Sequence, residues 1–407
     1  MTAARTASPG QTRWGIVTLA ILAGVFAAME IGKVPPALGA LQTEFTVGLA
    51  AVGWVASIFN AIGAVLGLPA GAASDAIGNR RLVIIGLGAV SIGSLLGGLT
   101  ENFTALLLTR ALEGIGYLSI LVSVTSLIVE ATAPKDHSLA LGIWSTFLPI
   151  GFAFMMVIAP PIMDAIAWQG LWFVNAVLLA GYLVVFVIGT RDLANLPNPR
   201  GSTAALSLGQ SFRAFTMAGP LLLALAFVTY ALQWFGLSSW MPTFFTAVQG
   251  KSLVTASLLS ALVVFMNAPG NLFGSWLLAR GWSQWSLIAA GSAVMGVLAV
   301  LIFSDVVGAD AKFWLALAFS FLGGVVPPAV FAAVPQHTPT PAHVGSVSGL
   351  VIQGNNAGFL LGAPAFGAIV EITGGWSGAG WLEVAVGALG VAIALAFRPV
   401  EARAARG

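Results

Sequence analysis

The chain has 407 residues, of which 58% are apolar and only 7% charged, with 16 Lys and Arg against 14 Asp and Glu. A water-soluble globular protein carries about a quarter charged residues to wet its surface, so this composition excludes one and makes most of the surface lipid-facing. The absence of cysteine rules out disulfides, thiolate metal sites and cysteine nucleophiles, and a net charge of +2 leaves no electrostatic footprint for nucleic acid.

The first twelve residues are polar. The apolar run after Arg13 has no small-residue cleavage site of the kind that ends a removable signal peptide, so it reads as the first membrane span. Apolar runs of about 20 residues or more follow in order, giving spans at 14 to 40, 47 to 73, 80 to 100, 103 to 131, 137 to 164 and 168 to 190. Six more lie at 214 to 247, 252 to 279, 284 to 304, 311 to 335, 343 to 371 and 379 to 397. Uninterrupted apolar blocks argue for helices, since barrel strands would alternate over about ten residues. The expected fold is all-α and membrane-embedded, with twelve transmembrane helices.

The longest polar interval between spans, 191–213, holds Pro197, Pro199 and Gly201. It reads as a cytoplasmic linker between two six-helix halves, 14–190 and 214–398, flanked by short tails at 1–13 and 399–407. Gly71 and Gly78 recur as Gly274 and Gly281 at a constant offset of 203, the trace of an internal repeat. With the N-terminus inside, twelve Lys and Arg fall in loops and tails on that side, while Lys33, Lys251 and Lys312 fall on the other. The positive-inside rule then places both termini in the cytoplasm of a multi-pass protein of the cytoplasmic or inner membrane. The opposite loops are acidic, holding Glu44, Glu101, Asp164, Asp305, Asp310, Glu371 and Glu383.

Four charges lie inside apolar runs. Glu30 and Lys33 share one face of the first span, and Arg110 and Glu113 share one face of the fourth. Each costs at least about 2.5 kcal/mol in a bilayer, so each needs a partner or a cavity. Counted inward from the outer helix ends, Lys33 and Arg110 lie about 10 Å deep and Glu30 and Glu113 about 15 Å. A charge-balanced cluster of the four is therefore expected at a cavity wall. A carboxyl passed between such partners can take up and release a proton; the same residues can equally form a static ion-pair lock, and Lys33 alone can snorkel to the outer interface.

Polar residues in other spans are Tyr117, Tyr230, Gln233, Asn267, Asn271 and the adjacent pair Asn355 and Asn356. They serve either as interhelical hydrogen bonds or as solute contacts. Ladders of small residues at Gly63, Gly67 and Gly71, at Gly270 and Gly274, and at Gly358 and Gly362 predict close helix contacts. Gly323-Gly324 with Pro327-Pro328 predicts a bend in the tenth span.

The loop Gly71-Ala72-Ala73-Ser74-Asp75-Ala76-Ile77-Gly78-Asn79-Arg80-Arg81 resembles the signature loop of the major facilitator superfamily, matching at Gly71, Asp75, Gly78 and Arg80. Ala76 and Asn79 each replace a basic residue of that pattern. Arg110-Ala111-Leu112-Glu113-Gly114-Ile115-Gly116 is similar to the family's fourth-helix motif, with Glu113 where Gln is common. The resemblance implies two pseudo-symmetric halves around a central cavity lined by the first, fourth and seventh helices. It also implies alternating access by a secondary transporter, with Gly71, Asp75, Gly78, Arg80 and Arg81 as a conformational gate. On that basis Glu30, Lys33, Arg110, Glu113, Tyr117, Tyr230, Gln233, Asn355 and Asn356 are the candidate substrate or proton-coupling residues. The fourth-helix run followed by a proline-bearing fifth helix looks like cyanate or small-anion porters. Ala159-Pro160-Pro161-Ile162-Met163-Asp164 lacks the glycines that drug antiporters of the family carry there.

The expected function is therefore proton-coupled movement of a small solute, an organic or inorganic anion being favoured. Proton-driven multidrug efflux is the alternative, followed by an intramembrane enzyme or a passive channel. No catalytic triad, HExxH or phosphate-binding loop occurs, so no enzyme activity, cofactor or metal is expected. The expected partners are a small-molecule substrate, protons and the lipid bilayer, for a monomer.

Overall fold

The computed structural model describes residues 11–67, 77–193, 217–338 and 344–404. Among these, regular structure is entirely helical, in eleven runs long and apolar enough to cross a membrane. One run, Leu139–Gly189, has 51 residues. As a straight helix it would be about 75 Å long, more than twice the roughly 30 Å hydrocarbon core. It is not straight: Ile166 and Ala167 leave helical geometry, Ala167 at φ 57°. The two arms cross separately as the fifth and sixth spans, which gives twelve spans in all.

Several spans are jointed where the chain cannot continue its hydrogen-bond ladder. The first, Trp14–Phe45, turns at Lys33, because Pro35 and Pro36 lack the N–H groups the next turn needs. The second, Leu49–Gly67, tightens into a 3₁₀ turn at Ile58–Asn60. The tenth, Ala309–Ala333, bends at Gly324 and Val325, where the glycine pair and following prolines predict it. The remaining spans are Asn79–Gly98, Phe103–Ala131, Ala218–Ala247, Leu253–Ala279, Gln284–Phe303, Gly345–Thr373 and Ser377–Ala404. The last continues as helix past residue 398, where the sequence places the end of the membrane segment.

Small residues set the helix contacts. Gly151 backs onto Val25 and Ala28 in the first span, Gly86 faces Gly116 between the third and fourth, and Gly358 lies against Val228 in the seventh. Gly270 and Gly274 press on Phe321, Gly324 and Val325 of the tenth. The second and eleventh spans pack along their length: Gly53 meets Ala363 and Pro364, Ser57 Oγ donates to Phe359 O at 2.9 Å, and Gly63 abuts Asn356. At one end of this seam the Leu49 N–H donates to Glu371 Oε1. Leu108, Val177, Leu272 and Val297 point outward as a lipid face.

Most of the linker at 191–213 lies outside the described residues, as do the first ten residues, Gly71 and Asp75.

Candidate functional site

The first span places Glu30 one turn before its proline joint and Lys33 at the joint itself. The fourth span runs as one uninterrupted helix from Phe103 to Ala131, capped by Asn102 Oδ1, which accepts from the N–H groups of Thr104 and Ala105. Gly114 lets it approach the second span closely, since a Cβ there would strike the carbonyl of Phe59. That approach brings Arg110 and Glu113 against Glu30 and Lys33.

The four side chains meet and are fully buried. Lys33 Nζ pairs with Glu30 Oε2 and with Glu113 Oε1 at 3.1 Å, and donates to Ser94 Oγ at 2.9 Å. Arg110 Nη1 pairs with Glu113 Oε2 and reaches Glu30 Oε2 at 3.6 Å, while its Nε donates to Val55 O at 3.0 Å. The guanidinium lies 4.7 Å from the Phe59 ring centroid, and the Lys33 ammonium 4.6 Å from that of Trp172. Two cations balance two anions, so the group as a whole can enter low dielectric while each charge keeps a partner. One acceptor, Glu30 Oε1, and one donor, Arg110 Nη2, stay unpartnered.

Two sequence expectations are corrected here. Lys33 does not snorkel: the joint turns its side chain inward, where Ser94 and two carboxylates outcompete the interface. Nor are the four exposed at a cavity wall: all are fully buried, with the Phe59 and Trp172 rings packed on the two cations. Ser94 and Trp172 were not legible as members, since a serine and a tryptophan in apolar helices carry no signal of their own.

Phe152 of the fifth span, beside Gly32, contacts Trp234 of the seventh edge-on at 6.1 Å, and Phe235 at 6.5 Å; Phe359 stacks on Phe235 at 4.7 Å. This is an aromatic contact between the two halves. In the second half Asn267 Nδ2 donates to Tyr230 Oη at 2.9 Å and to Ser320 O at 3.2 Å, and Trp234 Nε1 donates to Ser320 Oγ at 3.0 Å. Tyr230 is thus a member of a neutral network. Gln233 Nε2 donates to the backbone carbonyl of Glu383 at 2.9 Å. Tyr117 packs on Phe59, with ring centroids 4.8 Å apart, one layer from the charges. Asn356 donates to Ile352 O at 2.9 Å within its own helix and faces Gly63, and Asn355 is half-buried beside it. The structure therefore gathers Glu30, Lys33, Arg110 and Glu113, and leaves Tyr230, Gln233, Asn355 and Asn356 on other helices.

The sequence profile of the Major Facilitator Superfamily matches residues 20–352. The chain belongs to that superfamily. A putative niacin/nicotinamide transporter of Bacillus subtilis is 23% identical over 290 residues, 68% of this chain and 71% of its own. The hexuronate transporter of the same species is 23% identical over 385 residues, 89% of each chain. The multidrug resistance protein Stp of Mycobacterium tuberculosis is 32% identical over 154 residues, 37% of this chain and 28% of its own. In structure, the chain is similar to a bacterial homolog of the human lysosomal transporter Spinster, in its inward-facing and unoccupied conformation, at a TM-score of 0.76 and 18% identity, covering 97% and 98% of the two chains. The facilitator fold is therefore shown, and the protein is a multi-pass membrane transporter of small solutes rather than an enzyme.

Of the facilitator signature loop, the described part is its far end. Gly78, at φ 92°, turns the chain into the third span. Arg80 Nε donates to the carbonyl and hydroxyl of Thr190, both at 3.0 Å, and Nη2 to Val187 O at 3.1 Å. It thus caps the carbonyl end of the sixth span, where a cation is favoured. Arg81 is exposed. Asn79, in place of the family's base, donates to Glu130 Oε1 at 2.7 Å, a hydrogen bond where the pattern would give an ion pair.

Besides Lys33, two charged residues counted with the opposite loops from sequence are buried within helices. Glu383 is the seventh residue of the last span and fully buried, and Lys312 is buried in the tenth with its ammonium 5.6 Å from the Phe244 ring. Each lies within two turns of an apolar run's edge, where hydropathy does not separate loop from helix.

Proposed function

We propose that this facilitator moves a small organic anion across the cytoplasmic membrane by alternating access, with proton coupling through Glu30, Lys33, Arg110 and Glu113. The observation that carries the reading is the buried, charge-balanced quartet joining the first and fourth spans. Its net charge is zero, so an arriving anion that takes Arg110 must displace a carboxylate. A displaced carboxylate in low dielectric is neutralised by a proton, which then travels with the anion. Arg110 Nη2, which has no hydrogen-bond partner in the protein, is a donor left for such an anion. The aromatic contact of Phe152, Trp234, Phe235 and Phe359 opposite favours an anion with an organic body over an inorganic one. A relative named for hexuronate, and one named for niacin/nicotinamide, of which niacin is a carboxylate, support an organic anion.

The charge count supports both termini lying in the cytoplasm. With Lys33 and Lys312 buried in helices, Lys251 is left as the one base in the opposite loops, against twelve on the terminal side. The remaining candidate residues then divide by role: Tyr117 backs the quartet through Phe59, Tyr230 and Gln233 shape the second half, and Asn355 and Asn356 work at the sliding seam with the second span. In this reading Gly71, Asp75, Gly78, Arg80 and Arg81 form the cytoplasmic gate.

The test is flux in proteoliposomes. A thermal-shift screen of small organic acids selects the solute; uptake is then measured with and without a pH gradient. Glu30→Gln is expected to abolish accumulation driven by the gradient while keeping solute exchange at equal pH. Equal loss of both activities would mean that the quartet is a static lock, and wild-type accumulation insensitive to collapse of the gradient would remove proton coupling.

A further inference from the structure

Glu383 takes no part in the quartet. It sits two turns from the Ser377 end of the twelfth span, is fully buried, and neither of its carboxyl oxygens has a hydrogen-bond partner. A Cβ on Gly236 of the seventh span would lie 3.6 Å from its Oε1, 3.2 Å from Phe366 and 3.3 Å from the Gly362 carbonyl, so the carboxyl is packed closely against the seventh and eleventh spans. Among the described residues it makes no ion pair.

The spans packed against the twelfth offer it no counter-charge. The ninth span has no charged residue, and the seventh has Tyr230 as its one titratable group. The eleventh carries Glu371, which is exposed and engaged by the Leu49 N–H. His337, at the far end, packs on Phe397, about 20 Å along the helix from Glu383. Arg398, Glu401 and Arg403 of its own helix are farther still. Lys312 of the tenth span is turned to Phe244 instead.

The polar side chains on the seventh and ninth spans are neutral. Gln233 spends its Nε2 on the Glu383 carbonyl, leaving its buried Oε1 without a partner. Ser239 Oγ, one turn beyond Gly236, is also unpartnered, as is Ser292 Oγ beside Gly390. A buried carboxylate with no cation to balance it is an arrangement proteins avoid. One carboxylate with neutral oxygens suits a single positive charge and not a divalent ion, which needs more anionic ligands.

The repeat gives this place a meaning. The offset of 203 that relates Gly78 to Gly281 also relates Gly67 to Gly270, Gly93 to Gly296, and Glu30 to Gln233. Gln233 therefore holds, in the second half, the position that Glu30 holds in the first. The acid has moved to the twelfth span, on the residue whose backbone Gln233 grips, and the accompanying lysine and arginine have no counterpart.

We propose that Glu383, with Gln233, is a binding site for a monovalent cation, a proton or a sodium ion, in the second half of the transporter. It stands on the geometry of that half alone, so its failure leaves the reading of the Arg110 quartet untouched.

The test uses the purified full-length protein in detergent at neutral pH. Its infrared spectrum is recorded for the carbonyl stretch of a protonated carboxylic acid. Its Tm is followed as NaCl replaces choline chloride at constant ionic strength. If the cation is a proton, wild type shows a carboxylic-acid band that Glu383→Gln removes and Glu30→Gln keeps, and sodium has no specific effect. If it is sodium, NaCl raises Tm with saturation in wild type and in Glu30→Gln, and not in Glu383→Gln. Glu383→Gln is neutral and isosteric, so it is expected to fold with a Tm at or above that of the sodium-free wild type. Gln233→Leu gives a second reading: a shifted acid band, or a half-saturating sodium concentration raised about tenfold. The proposal is overturned if Glu383→Gln changes neither signal, if Glu30→Gln removes the signal instead, or if Gln233→Leu leaves it as in wild type.

Discussion

Replacing Arg110 by methionine keeps the volume of its stem and removes the guanidinium that touches both carboxylates. Glu30 and Glu113 are then left with Lys33 as their one cation in a pocket closed to water, and Val55 O loses its donor. Breaking a buried pair in this way costs about 3–5 kcal/mol, most of it from the stranded charge. Glu113→Gln alone strands a positive charge by the same logic and costs a similar amount. The double variant strands nothing, since Lys33 and Glu30 remain as a neutral pair. Its cost is expected to fall short of the sum of the singles by about 2–3 kcal/mol, at the high end for residues sharing a network. Unfolding entropy scales with chain length, and for 407 residues a loss of 1 kcal/mol lowers Tm by about 1 °C. Thermal unfolding in detergent is then expected to show drops of about 3–5 °C for each single variant. For the double variant the drop is about 4–7 °C, where additivity would give about 6–10 °C. A double variant that falls by the full sum would show that the four charges act independently, and the argument from charge balance would fail.

The bond from the Leu49 N–H to Glu371 closes one end of the seam between halves and places a carboxylate at a helix N-terminus. Glu371→Ala removes about 0.3–1 kcal/mol, enough to raise the population opened at that end about twofold to fivefold. The chain has no native cysteine, so a Thr243→Cys probe, in the pocket shared with Pro36, Ala40 and Met163, reports this as faster labelling. Unchanged labelling would remove Glu371 from the gate. Gly114→Val drives a branched side chain into the Phe59 carbonyl and is expected to cost at least about 1–3 kcal/mol, with solute binding lost along with the quartet; full binding would contradict the close approach. Burial holds the His337 imidazole below the ordinary histidine range, against the opposing pull of Glu401. The unfolded chain then binds the extra proton, so the associated stability is present above about pH 6.5 and falls as the pH drops through that value. His337→Gln is expected to flatten this part of the Tm profile between pH 7.5 and 5.5, and an unchanged slope would place the titration elsewhere.

Partnership in the quartet was legible because ionised groups in apolar helices have few ways to survive, and helical spacing placed each acid and base on a common face. The break in the tenth span was legible for a similarly local reason, the missing N–H groups of Pro327 and Pro328. The fifth and sixth spans read as two by length, though the chain joins them through a sharp corner at Ile166 and Ala167 that no glycine or proline at the corner announces.

Hydropathy, the placement of charge and the signature loop determined by themselves that this is a twelve-span facilitator with ionised groups in its interior. These are properties of composition and short-range spacing, which the bilayer reads residue by residue. Only the tertiary structure decided that Lys33 turns inward to Ser94 and the two glutamates, that Phe59 and Trp172 pack on the quartet's cations, and that Glu383 is a buried acid rather than a loop residue. Each of these depends on which helix faces which, set by close contacts at glycines such as Gly114 and Gly236, and a side chain's partner across a helix pair is a long-range fact that local sequence does not carry.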